Sequence, residues 1–449
     1  MLSVEDNELI TRVGPGTPMG SLMREYWLPA LMSSELPAAD CDPLRIMLLG
    51  EQLIGFRDTN GKVGLIQNHC PHRGASLFFG RNEEAGLRCV YHGWKFDVTG
   101  QCVDMPNEPA ESNFKNKVRA TAYPCVERGG VVWVYMGPRS TPPPLPDLEA
   151  NMLGEGEWSV SATQRECNWL QALEGDIDTS HFGFLHMGSQ KPEDQPEGTF
   201  SHYALIDKAP RYEVLDTDGG VMYGAYRDGR PGEDYWRVAQ FVLPFYTMPP
   251  QGLLGKKVIA RCWVPMDDTH IFFITMSPRN RASNRPNAAG PGARPSGAPG
   301  FGSRLLPNTT DWFGRFRLAA NAANDYEVDR EVQRRNEGTN GFTGINGIGL
   351  QDQCVTESMG PIYDRSNERL GTSDSMIIRA RRRLLNAAKA LRDHGITPPG
   401  VDNPAAYHVR AGGAFLPKGV NWVEATEGLR AAFVEHPELD AAVSGPLTG

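Results

Sequence analysis

"CPHRGASLFFGRNEEAGLRCVYHGW", residues 70–94, holds Cys-x-His at one end and Cys-x-x-His at the other, with sixteen residues between His72 and Cys89. Each half places one thiol and one imidazole in a short segment rich in Gly, Pro and Arg. The flank before it, "LRIMLLGEQLIGFRDTNGKVGLIQNHC" at 44–70, alternates short apolar runs with Gly and Asn-Gly turns, the pattern of antiparallel strands joined by hairpins. The flank after it, "CVERGGVVWVYMGP" at 125–138, reads as a further strand. Residues from about 42 to 138 are therefore expected to form a small all-β module with two loops, 70–74 and 89–94, that clasp something between them.

The clasped object needs two thiolates and two imidazoles. Zinc sites of Cys2His2 composition commonly put two Cys on one knuckle and two His on a helix, whereas here each loop contributes one of each. A Rieske [2Fe–2S] centre holds one iron by two thiolates and the other by two imidazoles, and one Cys and one His from each loop fit that two-metal geometry. The spacing favours the cluster, with Cys70, His72, Cys89 and His92 as its ligands. The other cysteines, Cys41, Cys102, Cys125, Cys167, Cys262 and Cys354, read as reduced packing thiols.

Composition narrows the class. The 449 residues suffice for two or three domains, and 40% hydrophobic residues supply their cores. A formal net charge of −9 argues against a phosphate-binding surface, so nucleic acid is not an expected partner. The start, MLSVEDNELI, is acidic where a secretory signal is basic, and no apolar run approaches ~20 residues, so a cytoplasmic protein with no membrane partner is expected.

"NWLQALEGDIDTSHFGFLH", residues 168–186, contains Asp178-x-x-His181-x4-His186. On an ideal helix His181 and His186 would point about 140° apart, so both reach one metal only if the helix is distorted between them, which Gly183 permits. Two imidazoles and one carboxylate with open positions opposite form the facial triad of non-heme Fe(II) oxygenases. Asp178, a turn from His181, is placed to orient that imidazole through its free N–H. His69, His202, His270, His394, His408 and His436 lack such company and read as ordinary residues.

Both motifs together resemble the Rieske non-heme iron aromatic-ring oxygenases, oxygenase (alpha) subunit. The matching residues are Cys70, Pro71, His72, Arg73 and Gly74, then Cys89, Tyr91, His92, Gly93 and Trp94. Rieske proteins of respiratory complexes carry an extra cysteine in each loop, where this chain has Ala75 and Tyr91. "RVGPGTPMGSLMREYWLPAL" at 12–31 and "QDQCVTESMGPIYDRSNERLGTSD" at 351–374 resemble the phthalate dioxygenase branch more specifically.

The resemblance implies an α+β fold: an N-terminal all-β Rieske domain and a C-terminal catalytic domain with an antiparallel sheet and surrounding helices, of helix-grip type. It implies that a downstream Asp completes the mononuclear iron site; Asp352 fits, with Glu357 and Asp364 as competing acids. It gives Asp178 a role in carrying electrons from the cluster, through His92, to His181 of a neighbouring subunit, and hence a head-to-tail trimer, with stacking to a hexamer open. Since no G-x-G-x-x-G follows a strand and precedes a helix, NADH would be used through a separate flavin/iron–sulfur reductase. The implied reaction is cis-dihydroxylation of an aromatic carboxylate with O2, in the manner of phthalate 4,5-dioxygenase; the alternative is hydroxylation or O-demethylation of an aromatic acid.

An anionic substrate in an apolar site calls for an arginine. Arg211 in "KAPRYEV", Arg237 in "DYWRVAQ" and Arg261 in "VIARCWVP" are candidates, and Ser180 could add a hydrogen bond. The organisation expected is a helical segment over 1–41, the Rieske domain over 42–140 and the catalytic domain over 141–449, with the Pro-rich "GPRSTPPPLPDLE" at 137–149 as connector. "SDSMIIRARRRLLNAAKALRDHG" reads as a helix stopped by Gly395, its Arg run a solvated face. "NRASNRPNAAGPGARPSGAPGFGSR" at 280–304 reads as a mobile loop that could cover the active-site mouth.

Overall fold

The structure, a computed structural model, describes residues 1–109, 111–256, 258–279 and 304–439; the loop expected over 280–304 lies, but for its last residue, outside the described residues. The alternating pattern of residues 44–67 gives three antiparallel strands, Leu44–Leu48, Glu51–Arg57 and Val63–Gln67, with Ala122–Tyr123 added at the far side. A second four-stranded sheet, Arg81–Glu83, Gly86–Arg88, Lys95–Phe96 and Cys102–Asp104, lies between them in sequence. Ile54, Phe56, Ile66, Leu77, Leu87 and Phe96 form a core between the sheets that includes Cys70 and Cys89.

The segment after residue 120 departs from the expected single strand. Cys125–Arg128 and Val131–Tyr135 are a hairpin, turned by Gly129 and Gly130, that leaves the Rieske sheets and pairs with Trp27–Met32. The N-terminal segment is accordingly not all helix. Val4–Thr11 and Pro18–Arg24 are helices, each capped by a hydroxyl (Ser3, Thr17), and the apolar run that follows continues as a strand. Trp27–Met32 is apolar throughout because it is covered on both faces.

The C-terminal half is built on one antiparallel sheet of eight strands. Seven run in the order Trp158–Arg165, Ile271–Pro278, Ala260–Pro265, Tyr246–Met248, Glu233–Val242, Gly220–Asp228, Arg211–Asp216; Gly412–Pro417 pairs with Glu233–Val242. Helices cover this sheet. Ser375–His394 ends on Gly395 with φ +65, as the sequence leads one to expect, and packs against the sheet and the two N-terminal helices. Its arginine run is not wholly solvated, however: Arg381 is buried and pairs with Glu174 (2.5 Å) and Glu368. Glu174 also holds the fully buried Arg365 at 3.0 Å, so one carboxylate on Trp169–Ile177 joins three separate segments. Burial raises the pKa of Glu174, but the two guanidiniums outweigh it and hold the carboxyl below its usual value.

Candidate active site and metal centres

The two Rieske loops are built alike. In each, the cysteine N–H donates to the carbonyl five residues on (Cys70 to Ala75, Cys89 to Trp94, both 2.8 Å), and its carbonyl accepts from the glycine four residues on (Gly74, Gly93, both 2.9 Å). Both glycines have φ near +80, and a Cβ on Gly93 would meet Pro106 at 2.5 Å. The turns therefore require glycine, and they bring the four side chains to one end of the module. The His72 and His92 rings stand 4.4 Å apart, the Nδ1 of each buried without a hydrogen-bond partner. Two orphaned imidazole nitrogens beside two buried thiols suit a metal cluster and little else, since unpaired buried polar atoms are costly. Burial pushes the Cys70 thiol up to about 11, a penalty that metal binding offsets by taking the thiolate. Trp94 stacks on His72, while Tyr91 and Val90 stay exposed at the tip.

The second centre lies at the end of the helix Trp169–Ile177. The helix stops before Asp178, which is extended (φ −88, ψ 120), and a single turn, Phe182–Leu185, follows with His181 and His186 flanking it. The break turns both rings to one point: the Nε2 atoms of His181 and His186 are 3.1 Å apart, and Asp352 Oδ1 lies 3.0 Å from His186 Nε2 and 3.5 Å from His181 Nε2. These three residues form a group able to hold a metal ion, all ligand atoms within 4.8 Å of one another. Asp352 comes from the helix Ile348–Glu357, which packs on Trp169–Ile177. The competing acids are engaged elsewhere: Glu357 accepts from the Tyr326 hydroxyl and the Glu166 N–H, and Asp364 caps the turn Arg365–Asn367.

Electrostatics follow the geometry. Burial lowers the pKa of His181, but Asp178 (Oδ2 3.4 Å from Nδ1) and Asp352 more than reverse this, raising it to about 10. Asp352 is held well below the usual carboxylate range by the two imidazoles, against the opposing effect of burial. Asp178 Oδ1 accepts both the N–H and the hydroxyl of Ser180 (2.7 and 2.8 Å), so that hydroxyl points at Asp178, where a substrate hydrogen bond was expected.

The three candidate arginines part company. Arg211 is exposed on the edge strand, over the Tyr226 ring. Arg261 is buried and paired with Asp176, which also accepts from Thr247. Neither placement is the anion-facing one expected for them. Arg237 is buried, its guanidinium carbon 3.4 Å above the Phe200 ring and 5.7 Å from Phe182, whose ring in turn meets His186. No carboxylate among the described residues pairs with it, and its Nε and Nη1 are buried without partners. The sequence reading missed Arg227, which is 1% exposed, likewise without a carboxylate, and held down to about 10 by burial and by Arg237.

An all-β module with a Cys/His loop pair, joined to a helix-flanked antiparallel sheet that gathers two histidines and an aspartate, defines a two-centre iron oxidoreductase. Residues 26–124 match the Rieske [2Fe–2S] domain and residues 134–441 the LigXa C-terminal domain like family. The chain is 46% identical over 434 residues to the 3-chlorobenzoate-3,4-dioxygenase oxygenase subunit of Comamonas testosteroni (95% of this chain, 98% of that one). It is 38% identical over 403 residues to the phthalate 4,5-dioxygenase oxygenase subunit of Pseudomonas putida (87% of each). Dicamba monooxygenase shares the fold (TM-score 0.53, 18% identity, 83% of this chain and 100% of that one). The chain belongs to the Rieske non-heme iron aromatic-ring oxygenases, as an oxygenase subunit with a Rieske [2Fe–2S] cluster and a mononuclear non-heme iron. No helix among the described residues is long and apolar enough to cross a membrane.

Proposed function

We propose that this subunit cis-dihydroxylates an aromatic carboxylate of the benzoate or phthalate type, with electrons from NADH delivered by a separate flavin/iron–sulfur reductase. The observation that carries the reading is Arg237, a buried cation that no carboxylate among the described residues pairs with, and which lies against Phe182, the ring that meets His186. Burying an unpaired charge is expensive, and a substrate carboxylate supplies the missing partner with two charge-assisted hydrogen bonds. Two relatives matched over most of their length, a chlorobenzoate and a phthalate dioxygenase, support the same substrate class.

In this reading Cys70 and Cys89 hold one iron of the cluster and His72 and His92 the other, while His181, His186 and Asp352 hold the mononuclear iron. When bound, the iron activates dioxygen and the cluster supplies an electron. Arg237 anchors the carboxylate, with Arg227 behind it raising the local positive potential. Phe182 and Phe200 offer apolar contact to the ring, and that placement decides which carbons face the metal. Asp178 orients His181 and forms the electron bridge from His92 of a neighbouring subunit in a trimer.

The test is substrate-dependent oxygen uptake by the reduced enzyme with its reductase, NADH and a panel of benzoates and phthalates. Isotopically labelled O2 should place two labelled oxygens in a cis-diol. One labelled oxygen, or uptake indifferent to the carboxylate, refutes the proposal, the former in favour of a monooxygenase.

A further inference from the structure

We propose that Gln351 is a positioning residue that fixes the tautomer of His186 and so aims its Nε2 lone pair at the mononuclear iron; this rests on reading His181, His186 and Asp352 as that iron's ligands. Gln351 is 1% exposed, and its side chain has one workable orientation. Its amide nitrogen donates to Thr343 Oγ1 at 3.0 Å and to the Ile345 carbonyl at 2.9 Å. The Thr343 hydroxyl donates to the Ile345 carbonyl and its oxygen accepts the Ile345 N–H, which leaves a second lone pair for the amide. With the nitrogen so committed, Gln351 Oε1 faces His186 Nδ1 at 2.7 Å.

An amide oxygen only accepts, so the proton of that bond sits on His186 Nδ1. A neutral imidazole carries one N–H, which leaves Nε2 bare, and Nε2 is the atom that meets His181 and Asp352. Were Gln351 flipped, its NH2 would face Nδ1, the proton would move to Nε2, and the lone pair needed by the metal would be lost. The two imidazoles are thus oriented by different chemistry. His181 faces the Asp178 carboxylate, and His186 faces a neutral amide that fixes the ring without adding charge.

The variants are Gln351→Leu, which removes the acceptor, and Gln351→Glu, which keeps an oxygen against Nδ1–H. Fe(II) affinity of the mononuclear site is measured by competition with a chelator, with the visible absorption of the cluster as internal standard, beside the melting temperature of the protein without mononuclear iron. The Leu variant should bind Fe(II) about 10–100-fold more weakly, the usual cost of losing such an outer partner. Its cluster absorption should be unchanged, and the Glu variant, which keeps an oxygen against Nδ1–H but loses the amide's two donations, should bind Fe(II) more tightly than the Leu variant and less tightly than wild type.

A Leu variant with wild-type affinity, or one that only melts earlier, overturns the proposal. Should Leu prevent folding, Thr343→Val removes one of the two acceptors that hold the amide and must weaken Fe(II) binding in the same direction; unchanged affinity there is equally fatal. Wild-type protein that takes up no iron beyond the cluster would instead sink the iron-site reading itself.

Discussion

Replacing Arg237 by Met should weaken substrate binding without destabilising the fold, a combination few buried arginines would give. Breaking a buried, hydrogen-bonded charge pair by truncating one partner costs about 2–5 kcal/mol. At ~1.4 kcal/mol per decade that is a rise in Kd of roughly 30-fold to several thousandfold for an aromatic acid. The substrate-free protein behaves differently, because no carboxylate among the described residues pairs with Arg237. Exchanging a buried charge for an apolar side chain is worth up to ~1–4 kcal/mol. Against this stand the contact with Phe200, about 1–2 kcal/mol, and the bond to the Pro250 carbonyl, about 1 kcal/mol. The two sides nearly cancel, so Tm should stay or rise slightly. Calorimetric titration with a benzoate and with the matching uncharged benzamide, alongside thermal melts, reads both effects. Equal weakening for acid and amide, or a Kd for the acid within threefold of wild type, would refute the argument.

Cys89→Ser should abolish the visible absorption of the cluster while leaving one mononuclear iron per chain by metal analysis. Asp178→Asn should keep both metal centres yet slow single-turnover reoxidation of the reduced cluster about 10–100-fold, followed by stopped-flow absorbance. Glu174→Gln leaves Arg365 buried without its carboxylate and should cost about 3–5 kcal/mol in denaturant unfolding. The wild-type carboxyl has a folded pKa below its unfolded value. The stability it contributes is therefore present above the unfolded pKa and lost as pH falls through the folded one, so the gap between wild type and variant should close only in acid.

Much of this site was legible in the sequence because metal ligation is local and strict. Each Rieske loop fits within six residues, and the pattern around His181 and His186 announces a broken helix. What escaped was whatever depends on pairing across the sheet. Arg211, Arg237 and Arg261 look alike as strand arginines; only the fold reveals that Arg261 meets Asp176 while Arg237 faces Phe200 and pairs with no acid among the described residues. Arg227 sits next to Asp228 before a Gly, a neighbourhood that reads as an exposed turn, yet it is buried. Arg381 was hidden in a run of four basic residues interrupted once, where helical periodicity alone places one inward. The strand Trp27–Met32 has no polar alternation to mark it, because both faces are covered.

That strand also bears on how the two halves are joined. Trp27–Met32 and Val131–Tyr135 lie side by side where the chain enters and leaves the Rieske module, and Leu49 and Gly50 bond to the carbonyls of Pro265 and Met266 in the catalytic half. A module paired along Trp27–Met32 and bonded to the catalytic half through Leu49 and Gly50 does not hang on a single tether. The cluster loops and the His181, His186 and Asp352 site are therefore held in fixed relation within the chain, so in the head-to-tail trimer proposed above the passage of electrons between subunits should be indifferent to solvent viscosity and set once, at assembly.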